Sequence, residues 1–594
     1  MIGQIRLRNR RCCSKAVLAQ RLKRIPDVAD GLSRQFTLRG RFPFENAVEN
    51  YIVEAGVSRT IFLARRGSGL FSFDNSYTQD TPSVKAFLVG SIIAEPDPTG
   101  GGTVSGPSNA NLAQGATALT INSGTVTGST WYYLWYTNEL ETNAFGGTRK
   151  IGGELVYVKS VSGGVATIRD GLARPFPYSA NLRLTPLPTN AKVCEDIRFR
   201  NFNIKAATYQ PGDPSGLLGL IYTAYCAGLD LQRCKLTGSY SAQLYFNFSR
   251  EITITNCQGY ECDGPNDLLS FAFCAQRCVN ITVRDVYLRN TQYGISFTAG
   301  CANFLVERLA TIGNTQASFD LHGGSTEGGT ARFIFCPESQ IQIGNPGWTL
   351  SCKSITVEDS TCAYITAKGW ARDCVFQGIT AKWIGFVGSK PSGSALSGGP
   401  NNVAVSNSVF NIDANNASYG RGAIQVLSTR APKVTGAYYG QFQNITFTSC
   451  TFETNQQSYG VVHVRPLEPD KPNDNPPFYG EFGPMTLSSQ LTFLECTLTQ
   501  ASGTPYQTAM QLNVLPTALD EFLEVNLSDC VVNVHQSQSV GIGTGPSSAE
   551  VVIHNNTNGG QTPNVRSPNP TNPTPGSTRN LQSSDFPGST WDSN

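Results

Sequence analysis

The chain has 594 residues, with 45 Lys+Arg against 43 Asp+Glu and a formal net charge of +2. This balance excludes a dominantly basic nucleic-acid binder, and 40% hydrophobic residues exclude an intrinsically disordered chain. Only 15% of residues are charged, Gly numbers 59 and Met only 3, which is a composition of strands and turns. No apolar run approaches the roughly 18 residues of a spanning helix. Residues 1–24 are basic, but Ala16-Val17-Leu18-Ala19 is too short for the ~7–15-residue apolar core of an export signal. The protein is therefore expected to accumulate in the cytoplasm that makes it. The 17 cysteines are odd in number and sit singly among apolar residues, so they read as small buried thiols.

Residues 1–109 read as an N-terminal region and linker. Ser14 caps a short helix whose Leu18, Leu22 and Ile25 share one stripe before Pro26. A second helix is predicted over Phe44–Ala55, stopped by Gly56, with short strands over 57–95 and a Gly/Pro/Ser-rich linker over 96–109. Residues 110–192 read as a small β entry domain, with strands at Leu119–Ile121, Trp131–Tyr136, Glu154–Lys159 and Val165–Arg169. Alternation puts Trp131, Tyr133 and Trp135 on one face and Tyr132, Leu134 and Tyr136 on the other. Core packing, rather than a sugar platform, is the expected use of these rings.

From 197 one pattern recurs: apolar, any, apolar, two polar bend residues, then an apolar or small residue. It starts at Ile197, Leu229, Ile252, Ile281 and Phe304, and again at Ile355, Val403, Ile445, Leu491 and Val525, several copies ending in Cys. A second triplet lies between copies, at Leu220, Leu244, Leu269, Ile295 and Phe319. Two strand types per ~20–30-residue turn describe a β-solenoid over 193–555. After about 330 the copies spread out, so coils there skip the pattern or carry long loops. Residues 556–594 are Pro/Asn/Ser-rich and should lack a core of their own.

If Leu244, Leu269, Ile295 and Phe319 point inward, Tyr245, Ser270, Ser296 and Asp320 form one outward column. Asn247, Ala272, Thr298 and His322 form a second. Asp320 and His322 then share one face of a strand, about 6–7 Å apart. Glu327 follows in a Gly-rich loop, and Asp263 and Asp267 lie in the turn before Leu269. Arg284, Asp285, Glu307 and Arg308 occupy the bends and are expected to pair with one another. Cys274 and Cys278 are the nearest approach to a metal motif, but coil packing explains them better. No metal and no cofactor is expected.

The entry segments Ala113-Gln-Gly-Ala-Thr-Ala-Leu-Thr120, Gly153–Val161 and Val165–Leu172, leading into Ile197–Ile204, resemble those of tailed-bacteriophage tailspike proteins. The resemblance spans roughly 110–555. It implies an all-β chain, a right-handed parallel β-helix of the pectate-lyase-like class, with a small N-terminal α/β anchoring region. It implies a homotrimeric virion protein made in the host cytoplasm, fastened to phage tail or portal-proximal proteins by its N-terminus. Its partner is host surface polysaccharide, which it binds and often cleaves, with no membrane insertion and no nucleic acid. Phe319-Asp-Leu-His-Gly-Gly324 resembles a strand found in many such β-helices.

Glycoside hydrolysis needs two carboxyl groups, ~5–5.5 Å apart for retention or ~6.5–9.5 Å for inversion. Asp263, Asp267, Asp320 and Glu327 are the candidates. His322 orients a carboxylate or serves as base in a lyase, and Tyr245, Asn247 and Ser296 are candidate substrate contacts. Turn chemistry alone accounts equally well for Asp263 and Asp267. The alternative is a non-enzymatic β-helical fibre that recognises glycan without cutting it.

Overall fold

In a computed structural model the described residues are 101–136, 152–176, 182–188, 193–200, 219–239, 242–262, 270–314, 316–322, 326–344, 352–369, 371–387, 399–412, 423–428, 443–454, 461–466 and 489–500, with short strand segments elsewhere. The expected helix ahead of Pro26 lies outside them, as does nearly all of the second helix. Phe44, where that second helix was to start, is instead extended: Phe42–Phe44 pairs in parallel with Phe202–Ile204. Among the described residues no helix is long and apolar enough to cross a membrane.

The chain divides into two compact units. The first contains a closed six-stranded barrel made of Gly102–Ser105, Ala118–Gly124, Thr130–Tyr136, Gly153–Ser162, Val165–Ile168 and Leu182–Pro186. The stretch read as linker thus supplies a strand, because Thr103-Val104-Ser105 breaks its Gly/Pro run. Tyr132, Leu134 and Tyr136 fill the barrel with Leu119, Val156 and Phe176. Tyr133 and Trp135 face the other way and pack on Tyr225 and Phe248 of the first coils. Both faces of this aromatic strand are buried, as area burial by aromatics favours.

The rest of the first unit is a parallel β-solenoid with three ladders. In the first ladder, Ile197, Leu229, Ile252, Ile281 and Phe304 stand in register, one per coil. These are the five positions the repeat marks. The second ladder stacks Ile204, Leu236, Gly259, Leu288 and Thr311. The third stacks Phe87, Ile221, Leu244, Phe273 and Ile295. Its first rung, Lys85–Gly90, comes from the N-terminal region, and Ile61–Leu63 pairs antiparallel to it. That pairing satisfies backbone groups which an open edge strand would leave bare.

The third ladder departs from the sequence reading at two rungs. Ile221 replaces Leu220 and Phe273 replaces Leu269 as the inward residue. Leu268-Leu-Ser-Phe-Ala-Phe273 offers two overlapping apolar triplets, and the later one is used. The outward columns accordingly contain Cys274 and Gln276 where Ser270 and Ala272 were expected.

Between the first and second ladders each coil turns through a left-handed residue: Arg233, Asn256, Asp285 and Arg308, at φ 54, 53, 54 and 56. Where that bend is followed by Cys, the thiol tucks under the neighbouring strand. Cys234 Sγ donates to Phe199 O at 3.4 Å and Cys257 Sγ to Leu231 O at 3.7 Å. The fourteen described cysteines are all buried, and none of them is in a disulfide. Burial pushes the Cys301 thiol up to about 11 and that of Cys374 up to about 12.

The second unit repeats the plan. Val403, Ile445, Leu491 and Val525 align in its first ladder. A coil hidden from the repeat lies between Ile355 and Val403, its ladder position held by Cys374. The C-terminal segment pairs on the last coils of its own chain. Thr578–Leu581 runs antiparallel to Val540–Thr544, and Thr590–Asp592 parallel to Val531–Asn533. These pairings cover strand edges that would otherwise be open.

Candidate functional site

The candidate wall is the outer side of the third ladder in the first unit. Phe297 and Phe319 meet Phe304 at centroid distances of 4.9 and 6.0 Å. Phe304 belongs to the first ladder, so these rings point into the lumen. Side chains alternate along a strand, so Ser296 and Asp320 point away from it. Tyr222, Tyr245, Cys274 and Ser296 stand in one register column, and Ala224, Asn247, Gln276 and Thr298 in the next. Ser296 Oγ donates to Asp320 Oδ2 at 3.0 Å.

This outward wall is nonetheless buried. Asp320, Ser296 and Asn247 are each 0% exposed and Tyr245 6%. The expectation of a solvent-facing Asp320 is therefore corrected: the side chain faces outward from the lumen but not into water. Strands buried on both faces are normally apolar throughout. Here the outer columns carry amide, hydroxyl and carboxyl groups instead. Asn247 is the extreme case, with neither Nδ2 nor Oδ1 hydrogen-bonded. A buried amide in that condition costs about 1–3 kcal/mol.

The remaining candidates disperse. The strand Ala317–Leu321 ends one residue short of His322, which is partly buried just beyond it. Glu327 opens the strand Glu327–Ile343 rather than sitting in a loop, and its Oε1 lies 2.5 Å from Arg174 Nε. Arg174 Nη1 also donates to Gly300 O at 3.2 Å. Glu327 is thus engaged in seating the barrel on the coils. Asp263 and Asp267 lie outside the described residues. Among the described residues no group of His, Cys, Asp and Glu is gathered to hold a metal ion.

The barrel seat holds a second acid that the sequence did not single out. Glu154 is fully buried, and its two carboxyl oxygens accept from the Ala173 N–H at 3.1 and 3.0 Å. Burial raises its pKa to about 7, against the opposing pull of that hydrogen bond and of Arg250 and Arg174. Arg250 Nη1 donates to Leu155 O at 2.9 Å in the same seat. The bends behave as expected: Arg308 grips Asp285 through two bonds of 2.6 and 3.0 Å, and Arg284 Nε lies 3.1 Å from Glu307.

No protein-family model and no curated protein matches the sequence. Solved structures similar to the chain include phage tailspikes with a β-solenoid. The tailspike of Pseudomonas phage LKA1 shares 13% identity over 79% of this chain and 68% of its own, with a TM-score of 0.46. The tailspike of Acinetobacter baumannii bacteriophage AP22, solved with capsular saccharide, shares 11% over 77% and 67%, with a TM-score of 0.32. The catalytic domain of a GH87 α-1,3-glucanase, solved with nigerose, shares 10% over 71% and 96%, with a TM-score of 0.29. The fold is assigned from the ladder register of this chain itself.

Proposed function

We propose that this chain is a phage tailspike that binds host surface polysaccharide on the third-ladder wall and cleaves it by glycoside hydrolysis. The observation that carries the reading is Asn247. A fully buried amide with no hydrogen bond, in a column with Gln276 and Thr298, is a cost that folding alone does not explain. Because Asn247 and Gln276 are 0% exposed, binding requires that whatever covers the wall move aside, and sugar hydroxyls, which both donate and accept, then match its amides and hydroxyls. Asp320, held by Ser296, is one carboxyl of the catalytic pair, as nucleophile or base. The Asp263/Asp267 turn supplies the general acid, with Tyr245 and Ser296 contacting substrate and His322 orienting it. Glu327 is withdrawn from the pair by its bond to Arg174. Residues 1–109 attach the protein to the phage tail.

The second reading, a fibre that binds without cutting, is favoured by the burial of Asp320. Reducing-end release from polysaccharides purified from candidate host strains separates the two. New reducing ends with wild type and none with Asp320→Asn support cleavage. A wild type that binds a polysaccharide and leaves its chain length intact supports the fibre.

Assembly as a homotrimer is part of the same proposal. In the second unit Phe333 and Phe335 are 47% and 50% exposed, and Val409 is 45% exposed in the column Phe335–Thr361–Thr380–Val409. Phe333 sits at a left-handed bend (φ 56), a conformation that bulky residues rarely adopt, with the Arg332 guanidinium 5.9 Å from its ring. Light scattering should give three chains per particle, and Phe335→Ser should shift it toward monomer. A stable wild-type monomer contradicts this part.

A further inference from the structure

The second unit carries a feature that neither the catalytic proposal nor the trimer uses. Tyr364 and Trp383 stand in register on neighbouring coils, in the strands Thr361–Lys368 and Trp383–Val387. Their rings are stacked, with centroids 4.4 Å apart and planes 6° apart. Their neighbours fix which way they point. Ile365 and Ile384 are 0% exposed, and Phe386 meets Phe447 of the first ladder at 5.9 Å. Phe386 therefore points into the lumen, and Trp383, an odd number of residues away, points out. Both Tyr364 and Trp383 are only partly buried.

Two neighbours shape the space beside this pair. The Ile384–Ile424 register sets Ala423 level with Trp383 on the next coil, so the large column steps down to a methyl group. Gly385 lies two residues along the strand, and a Cβ there would come within 2.6 Å of the indole. Only glycine lets the ring lie where it does. Flanking the pair are two polar atoms with no hydrogen bond, Gln340 Oε1 and Thr366 Oγ1, on side chains 7% and 1% exposed. Gln340 is the register partner of Tyr364. Lys368, on the same strand as Tyr364, donates to Gln342 Oε1 at 2.7 Å, and Lys382 precedes Trp383 in the chain.

An open aromatic shelf beside an unfilled acceptor and a hydroxyl matches a pyranose ring. The axial C–H face of the sugar covers the aromatic surface, and its hydroxyls serve the polar atoms. We propose that Tyr364 and Trp383, in the second unit, form a subsite for a hexopyranose unit of a polysaccharide. The inference rests on the polysaccharide-binding reading above.

The test uses the full-length protein on a printed array of bacterial capsular and O-antigen polysaccharides, followed by titration of the best binder. Trp383→Ala and Tyr364→Ala should each weaken binding about tenfold. Trp383→Phe, which keeps a ring on the shelf, should stay within about threefold of wild type. Its retained binding and an unchanged circular dichroism spectrum for all three variants keep misfolding apart from loss of the subsite. Wild type binding that both alanine variants leave unchanged overturns the subsite and leaves the polysaccharide reading standing. A wild type that binds nothing on the array overturns both.

Discussion

The bends and the third-ladder wall of the first unit both face away from the lumen, yet they treat charge in opposite ways. At the bends, Asp285 and Arg308 are exposed and grip each other, and Arg284 pairs with Glu307. On the wall, Asp320 is fully buried and its partner is the hydroxyl of Ser296. The bend pairs join successive coils and leave little net charge. The wall keeps a carboxyl and two amides out of water, and neither polar atom of the Asn247 amide is hydrogen-bonded. The first arrangement is what a stacked coil needs, and the second is what the proposed binding site would use.

Substitutions sharpen this contrast, the largest effects first. Phe319→Ala, on the lumen side of the strand that carries Asp320, should destabilise by about 3–5 kcal/mol in denaturant unfolding. Asp320→Asn, one residue along, should leave stability nearly unchanged while lowering polysaccharide cleavage by about 100-fold or more. A similar stability loss in both variants would make Asp320 an ordinary structural residue.

The barrel seat gives a carboxyl of a third kind. Glu154 titrates near 7 when folded, above its ordinary 4.5, so the folded protein holds the extra proton between those values. Its contribution to stability is intact below about 4.5 and is lost as the pH rises through 7, by about 3 kcal/mol in total. Glu154→Gln should flatten that dependence, which unfolding midpoints at pH 5 and pH 8 measure directly. Asn247→Leu should gain about 1 kcal/mol of stability, since it removes an unsatisfied amide, while weakening polysaccharide binding. Arg308→Ala should leave the melting temperature unchanged, because exposed pairs contribute little.

Much of the coil was legible because lumen residues must repeat once per turn. The five first-ladder starts from Ile197 to Phe304 fall in register as read. The same logic fails where the lumen residue is not apolar in the usual way. Gly329 lies against the Phe304 ring, where any Cβ would clash, so its coil carries no apolar mark. Cys374 hides another coil, because a thiol fills a lumen position without announcing it. In the third ladder, two overlapping triplets left the Phe273 register ambiguous. Lys85–Gly90 lies in the stretch read as short strands, but its place as the first rung of the third ladder was not legible, because its partner, Gly219–Ala224, is remote in sequence. The residues of the site were legible as types on a strand, Asp320 and Asn247 among them. Their burial was not, since period-2 alternation says which side a residue faces and nothing of what covers it.

The most direct test is a crystal structure of Asp320→Asn with a fragment of a polysaccharide the protein binds. A sugar within hydrogen-bond distance of Asn247 and Ser296 is the expected result. A well-ordered sugar on the bends at Asp285 and Arg308, with the third-ladder wall empty, contradicts it.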